Sequence, residues 1–222
     1  MSKLHFKYGA MNSGKTDTLI KTAFNYTERG LDVIVIKPST DIKGGVQLVT
    51  RSGSRRDVDI LATPDTNIRT TIKSLVSKNK IQKLSCILID EAQFLTADQV
   101  NQLFDIAKID HVSVIAYGLR ADFLTNMFPG SKRLFELADN IEKLPTMCRC
   151  GSQAEVNCRK SDNKFVFTGS QLAIDGDGSI SYESLCGVCF MAEKPKNQTK
   201  TQHSDDKNKR IISPRSSRQG NQ

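Results

Sequence analysis

The chain has 222 residues, 38% of them apolar and 25% charged, enough for one sizeable α/β core with a small appendage. No run approaches the ~20 apolar residues that span a bilayer, and Met1 to Ala10 hold no apolar signal core, so a cytoplasmic protein without a membrane partner is expected. Of the net charge of +8, residues 194–222 supply +6 (eight Lys/Arg against two Asp/Glu), which leaves +2 for residues 1–193 and makes nucleic acid an unlikely partner of the folded body.

In chain order, Leu4 to Tyr8 alternates like a short strand, and Gly9-Ala10-Met11-Asn12-Ser13-Gly14-Lys15-Thr16 follows. This fits the phosphate-binding pattern G-x-x-x-x-G-K-[ST] at every fixed position. Gly9 and Gly14 allow a tight turn whose N–H groups face phosphate oxygens; Lys15 supplies a mobile cation, and Thr16 a hydroxyl for Mg²⁺. Leu19, Ile20, Ala23 and Phe24 then predict a helix ending near Gly30, so the loop lies where a strand feeds a helix N-terminus. The segment is predicted to bind a nucleotide.

Val33–Ile36 is a continuous apolar run, as suits a strand buried on both faces. Residues 39–58 turn polar and carry Lys43, Arg51, Arg55 and Arg56; they read either as a mobile basic loop near the phosphates or as solvated surface. Asp59–Leu61 predicts a short strand, and Thr66–Lys78 an amphipathic helix. Cys86-Ile87-Leu88-Ile89 is a strand that ends in Asp90-Glu91. It would deliver Asp90 to the sheet edge where the phosphate loop lies, placed to hold Mg²⁺, with Glu91 aimed elsewhere and free for another role. Thr96 and Gln99 form a capping-box pair, Val112–Ala116 is another buried strand, and residues 131–139 look helical. Strands alternating with helices predict a doubly wound, mainly parallel sheet over residues 1–144.

The character changes near Pro145. Cys148 and Cys150, then Cys186 and Cys189, are two close pairs separated by 35 residues, as in a four-thiolate structural Zn²⁺ site; redox chemistry is the competing reading. Cys86 and Cys158 read as core thiols. Asp175–Gly178 resembles the start of a calcium loop, but Ile180 and Cys186 occupy positions that need Gly and Glu, so it reads as a turn. Residues 145–193 thus form a small metal-clipped domain, and residues 194–222 a basic disordered tail, a nucleic-acid arm being the alternative.

Gly9–Thr16, the Asp90-Glu91-Ala92-Gln93-Phe94 run, the Tyr117-Gly118-Leu119-Arg120-Ala121-Asp122-Phe123 run and the two cysteine pairs together closely resemble the type II thymidine kinases, in collinear order over about residues 3–190. The resemblance implies a P-loop (RecA-like) ATP-binding domain followed by a zinc-held domain whose loop, the lasso, closes over the nucleoside. It implies transfer of the ATP γ-phosphate to the 5′-hydroxyl of thymidine, with deoxyuridine a secondary substrate, and a homotetramer. Glu91 matches the general base. The ATP/Mg²⁺ site would comprise Gly9, Ala10, Met11, Asn12, Ser13, Gly14, Lys15, Thr16, Asp90, Glu91, Ala92 and Gln93. Met11, Phe94, Leu119, Phe123, Leu172, Ala173, Ile174 and Tyr182 match the nucleoside pocket, and Cys148, Cys150, Cys186 and Cys189 the zinc ligands. Two departures stand out: the stretch from Ile174 to Tyr182 is about two residues longer than the family's, and Cys189 replaces the His of many bacterial-type relatives.

Two other classes compete. Asp90-Glu91-Ala92-Gln93 also resembles the DExx box of a nucleic-acid-dependent ATPase, which would show nucleic-acid-stimulated hydrolysis; such motors use a second sheet domain that residues 145–222 are too few to build. A zinc-bearing nucleotide switch would bind nucleotide tightly and phosphorylate no nucleoside.

Overall fold

The computed structural model describes residues 2–41, 44–79, 81, 83–169, 171 and 180–194. Leu172, Ala173, Ile174, the Asp175–Gly178 turn and residues 195–222 lie outside them. Among the described residues the strands are, in chain order, β1 (Leu4–Tyr8), β2 (Asp32–Pro38), β3 (Gln47–Val49), β4 (Arg55–Asp57), β5 (Ile60–Ala62), β6 (Leu84–Ile89), β7 (Ser113–Gly118), β8 (Asn140–Lys143), β9 (Val156–Ser161), β10 (Lys164–Val166) and β11 (Ile180–Leu185). The helices are α1 (Lys15–Glu28), α2 (Ile68–Lys78), α3 (Ala97–Lys108), α4 (Pro129–Leu137) and α5 (Gly187–Glu193), with a 3₁₀ turn at Ala92–Phe94.

Six strands make one sheet in the order β5-β2-β6-β7-β1-β8, every neighbouring pair parallel. Alternation along the strands explains the layers. Ile34, Ile36, Ile87, Ile89, Val114 and Ala116 face one core with α2, α3 and α4, whereas Val35, Cys86, Leu88 and Tyr117 face another with Leu19 and Ala23 of α1. Central strands therefore read as unbroken apolar runs, each fully buried Ile or Leu contributing about 1.5–3 kcal/mol. This is the doubly wound parallel sheet that the sequence predicts. Cys86 is wholly buried, as a core thiol should be.

Helix ends follow local chemistry. Asn67 caps α2 by accepting from Thr70 N–H (2.9 Å), Thr96 and Gln99 complete the reciprocal capping box of α3, and Gly30 closes α1 with a φ of 68°. Two elements depart from expectation. Residues 39–58 contain the antiparallel β3–β4 hairpin, because Leu48 buries itself in the α1-side core and Ser52 Oγ donates to Asp17 Oδ1 on α1 (2.6 Å). The edge strand β8 gives no apolar signal because its one large apolar residue, Ile141, is 45% exposed.

A second, three-stranded antiparallel sheet has the order β10-β9-β11. Its register sets Tyr182 opposite Arg159 and Ser184 opposite Asn157, so these four side chains share one face. The other face carries Cys158 and Leu185 into a small core with Cys148, Ala154, Cys186 and Phe190.

Candidate active site

The loop after β1 is a tight, over-determined turn. Gly9 N–H donates to Gly118 O of β7 (3.2 Å), and a Cβ at Gly9 would fall 2.4 Å from Ser13 Oγ and 2.7 Å from Leu144 O. Asn12 (φ 66°) and Gly14 (φ 70°) take the left-handed conformation that makes the chain curl before α1. Gly9 and Ala10 are buried, Met11 and Ser13 half-buried, and Asn12 and Gly14 exposed at the tip. Lys15 is buried and folds back on its own loop, donating to Ala10 O (2.9 Å), Ser13 Oγ (3.3 Å) and Gly9 O (3.4 Å). Desolvation lowers its pKa, against the opposing pull of Glu91 and Asp90. An incoming anion would therefore meet a cation that gains from being neutralised.

Asp90, just past β6, arrives at the same edge. Thr16 Oγ1 donates to its Oδ2 at 2.9 Å, while Oδ1 is buried with no hydrogen-bond partner among the described residues. Burial, and then the neighbouring charge of Glu91, raise the Asp90 pKa. A buried carboxylate oxygen without a partner, beside a threonine hydroxyl, is a hard-oxygen donor set of the kind that Mg²⁺ takes.

Glu91 departs sharply from the strand direction. Its φ of 48° and ψ of 39° are left-handed, which for a non-glycine residue costs about 1–2 kcal/mol and turns the side chain away from that of Asp90. Gln93 holds it there. Gln93 is 1% exposed; its Nε2 donates to Glu91 Oε2 (2.5 Å) and its Oε1 accepts from Leu119 N–H (3.0 Å). The Gln93 side chain is thus committed to protein partners, and Ala92 is fully buried. The Ala92–Phe94 turn sits on α4, where a Cβ at Gly130 would lie 2.6 Å from Ala92 O and 2.7 Å from Leu95 O.

Aromatic and apolar groups gather beside Glu91. Phe94 packs edge-on against Phe128 with centroids 5.5 Å apart. Leu119 is half-buried, and its carbonyl accepts from Ser131 Oγ (2.5 Å). The Asp122 carboxylate, accepting from Leu124 N–H (2.9 Å) and Asn126 N–H (2.8 Å), shapes the turn that buries Phe123. Over the Phe123 ring, at 3.5 Å, lies the guanidinium of Arg159 from β9, and the register puts Tyr182 beside it. Phe94, Leu119, Phe123 and Tyr182 thus belong to loops and strands that converge here. Asn157, Arg159 and Ser184 are brought to this face too, and the sequence reading passed over them. Their only signal is the period-two alternation in Val156–Arg159 and Tyr182–Leu185.

The sulfurs of Cys148, Cys150, Cys186 and Cys189 all lie within 4.8 Å of one another, Cys150 and Cys186 at 3.7 Å. Tetrahedral Zn²⁺ with Zn–S of about 2.3 Å requires S···S of roughly 3.8 Å, so the cluster fits the ion. Hydrogen bonds from Ser152 bring Cys150 down to about 6, whereas hydrogen bonding within the cluster, first with Cys150, pushes Cys189 up to about 12. Four thiols this close cannot all ionise without a cation among them. Gly151 (φ 85°) makes the tight turn, with its N–H on Cys148 O at 2.9 Å, and Arg149 pairs with Glu193 of α5.

The fold and this edge define a P-loop α/β protein with a cysteine-clamped β-sheet packed beside its phosphate loop. Comparison with known proteins sharpens the class: the thymidine kinase family matches residues 2–190. The chain is 39% identical over 188 residues to the thymidine kinase of Vibrio parahaemolyticus (84% of this chain, 95% of the relative). It is 40% identical over 188 residues to that of enterobacteria phage T4 (84% and 94%), and 39% identical over 192 residues to that of Haemophilus influenzae (86% and 96%). The chain belongs to the thymidine kinase family. Among the described residues no helix is long and apolar enough to cross a membrane.

Proposed function

We propose that the protein transfers the γ-phosphate of ATP to the 5′-hydroxyl of thymidine, with deoxyuridine a weaker acceptor. The observation that carries the reading is the division of labour at the end of β6. Asp90 is tied to Thr16 with one oxygen unpartnered among the described residues, while Glu91 has a left-handed backbone and is latched by Gln93, whose other side-chain atom holds Leu119 N–H. Phosphoryl transfer asks for positioning and charge neutralisation more than covalent help, so these groups suffice.

In this reading Lys15 leaves its carbonyl partners for the β- and γ-phosphates, and the N–H groups of the 9–16 loop other than those of Gly9 and Met11, which are bonded to Gly118 O and Asn157 Oδ1, donate to phosphate oxygens. Thr16 and Asp90 would hold Mg²⁺, which when bound neutralises charge on the transferring phosphate. Glu91 accepts the 5′-hydroxyl proton as that oxygen attacks phosphorus in line and the ADP oxygen leaves. Phe94, Phe123, Leu119 and Met11 enclose the base, and Tyr182 covers it; Leu172, Ala173 and Ile174, expected in the same pocket, lie outside the described residues. Zn²⁺ on Cys148, Cys150, Cys186 and Cys189 would clip the base of the 151–185 segment, so that residues 145–193 act as the lid-bearing domain of a 1–144 kinase domain. A homotetramer in the cytoplasm, with no nucleic-acid partner, completes the proposal.

The test is phosphate transfer from ATP·Mg²⁺ to a panel of nucleosides. Product with thymidine, while deoxycytidine and purine nucleosides stay inert, is expected; ATP binding with no nucleoside phosphorylated would remove the reading.

A further inference from the structure

The phosphate loop does not hold its shape alone. Met11, at its centre, is gripped at both polar atoms of its backbone by side chains from the other sheet. Its N–H donates to Asn157 Oδ1 (2.7 Å), and its carbonyl accepts from Ser184 Oγ (2.8 Å). Both clamping residues are 6% exposed, and β9–β11 register places them directly opposite each other. Asn157 Nδ2 also donates to Ala121 O (3.3 Å), which joins the phosphate loop to the loop that carries Leu119 and Phe123. A third bond, Thr146 Oγ1 to Asn12 O (3.2 Å), comes from the approach to the cysteine cluster.

A loop with left-handed Asn12 and Gly14 has several turns open to it, and only one aims its free N–H groups at a common anion. Fixing both ends of the Met11 peptide selects that one. We propose that Asn157 and Ser184 are positioning residues for the phosphate loop, so that the cysteine-clamped sheet sets nucleotide affinity as well as covering the nucleoside. The proposal rests on the reading of residues 9–16 as the phosphate site. It has a second consequence. The face that grips Met11 also carries Arg159 and Tyr182 beside Phe123, so one pair of strands touches both halves of the site, and each ligand should tighten the other reciprocally.

Ser184→Ala deletes a single oxygen and leaves the strand intact, which makes it the first variant. ADP·Mg²⁺ binding by calorimetry should weaken about fivefold, the worth of one hydrogen bond. Ser184→Thr, which restores the hydroxyl, should return to within about twofold. Asn157→Leu, of similar volume but without the acceptor, should weaken ADP at least as much. In Ser184→Ala, thymidine affinity without nucleotide should fall by less than ADP affinity, Met11 being only one wall of that pocket, and the thermal midpoint should stay within a few degrees. ADP affinity unchanged in both Ser184→Ala and Asn157→Leu overturns the proposal. So does an equal loss of ADP and thymidine affinity with a falling midpoint, which would mean general loosening. If the parent protein binds no ADP, the phosphate-site reading fails and this inference with it; if the parent binds and both Ser184→Ala and Asn157→Leu bind equally well, only the inference fails.

Discussion

Gln93→Leu tests whether the reactive carboxylate is held or merely present. The substitution keeps a buried side chain of similar size that is not β-branched but removes two bonds: Nε2 to Glu91 Oε2 at 2.5 Å, and Leu119 N–H to Oε1 at 3.0 Å. The first is to a charged group, worth about 1.5–3 kcal/mol, and the second leaves a buried N–H unpartnered, about 1–3 kcal/mol. Leucine recovers part of this through its apolar surface, so a net stability loss of about 2–4 kcal/mol is expected in urea titration. The effect on turnover should be larger than stability alone would give. A base displaced by about 1 Å from its proton loses roughly 10²-fold in rate. Steady-state kinetics with ATP and thymidine should therefore show kcat down by about two orders of magnitude, with KM for ATP within about twofold, since the 9–16 loop is untouched. A kcat within about threefold of the parent would refute the latch, even if the protein were destabilised.

Four further outcomes follow from the same geometry. Glu91→Gln keeps ADP·Mg²⁺ binding and loses nearly all turnover, about 10²–10⁴-fold; retained turnover removes Glu91 as the base. Removal of Zn²⁺ by a chelator, or Cys186→Ser, frees the base of the β9–β11 sheet, so KM for thymidine rises and the far end of that sheet loses hydrogen-exchange protection; an unchanged KM and exchange pattern would deny the cluster its clamping role. Gly130→Ala drives a Cβ to 2.6 Å from Ala92 O and shifts the turn bearing Gln93 and Phe94, so kcat falls at least tenfold; a fully active variant would mean that the turn tolerates displacement. Asp110 carries a pH signature. The bidentate Arg69 pair, with Nε and Nη2 both at 2.7 Å, holds the carboxyl below its ordinary value. Its contribution is therefore complete above about pH 4 and lost as pH falls through the lowered folded-state value. Asp110→Asn should lower the urea midpoint at pH 7, by a margin that narrows as the pH falls below the ordinary carboxylate value of about 4; a constant margin contradicts the assignment.

What could be read from the sequence divides along physical lines. Strands buried on both faces announce themselves, and β2, β6 and β7 are continuous apolar runs for that reason. The cysteine cluster is legible because ligand spacing is local: each pair forms its own turn, and folding need only bring two turns together. The β3–β4 hairpin rests on one buried leucine and a Ser52–Asp17 contact, and β8 on backbone pairing to β1 with polar contacts such as Lys7–Glu142 at 2.9 Å, so neither leaves an apolar pattern in composition. The Asn157–Ser184 clamp is harder still. It exists only because β9 and β11 pair in one register, and a slip of one residue by either strand would turn its member of the pair to the cysteine face.

The adjacency of Asp90 and Glu91 explains why a single short motif can serve both halves of a phosphoryl transfer. Two carboxylates side by side on an extended strand would point to opposite faces, and only one would reach the sheet edge. Here the strand ends at Ile89, Asp90 remains in line with Thr16, and Glu91 turns left-handed, so both stay at the edge on different bearings. The strain of that turn is offset locally: Phe94 N–H bonds to Glu91 O at 3.1 Å, Gln93 fastens the side chain, and Gly118 and Gly130 leave room for the turn to press against β7 and α4. A Cβ at Gly118 would stand 2.8 Å from Gln93 Oε1. Those glycines are therefore as much a part of the Glu91 geometry as the glutamate itself, although neither would touch a substrate.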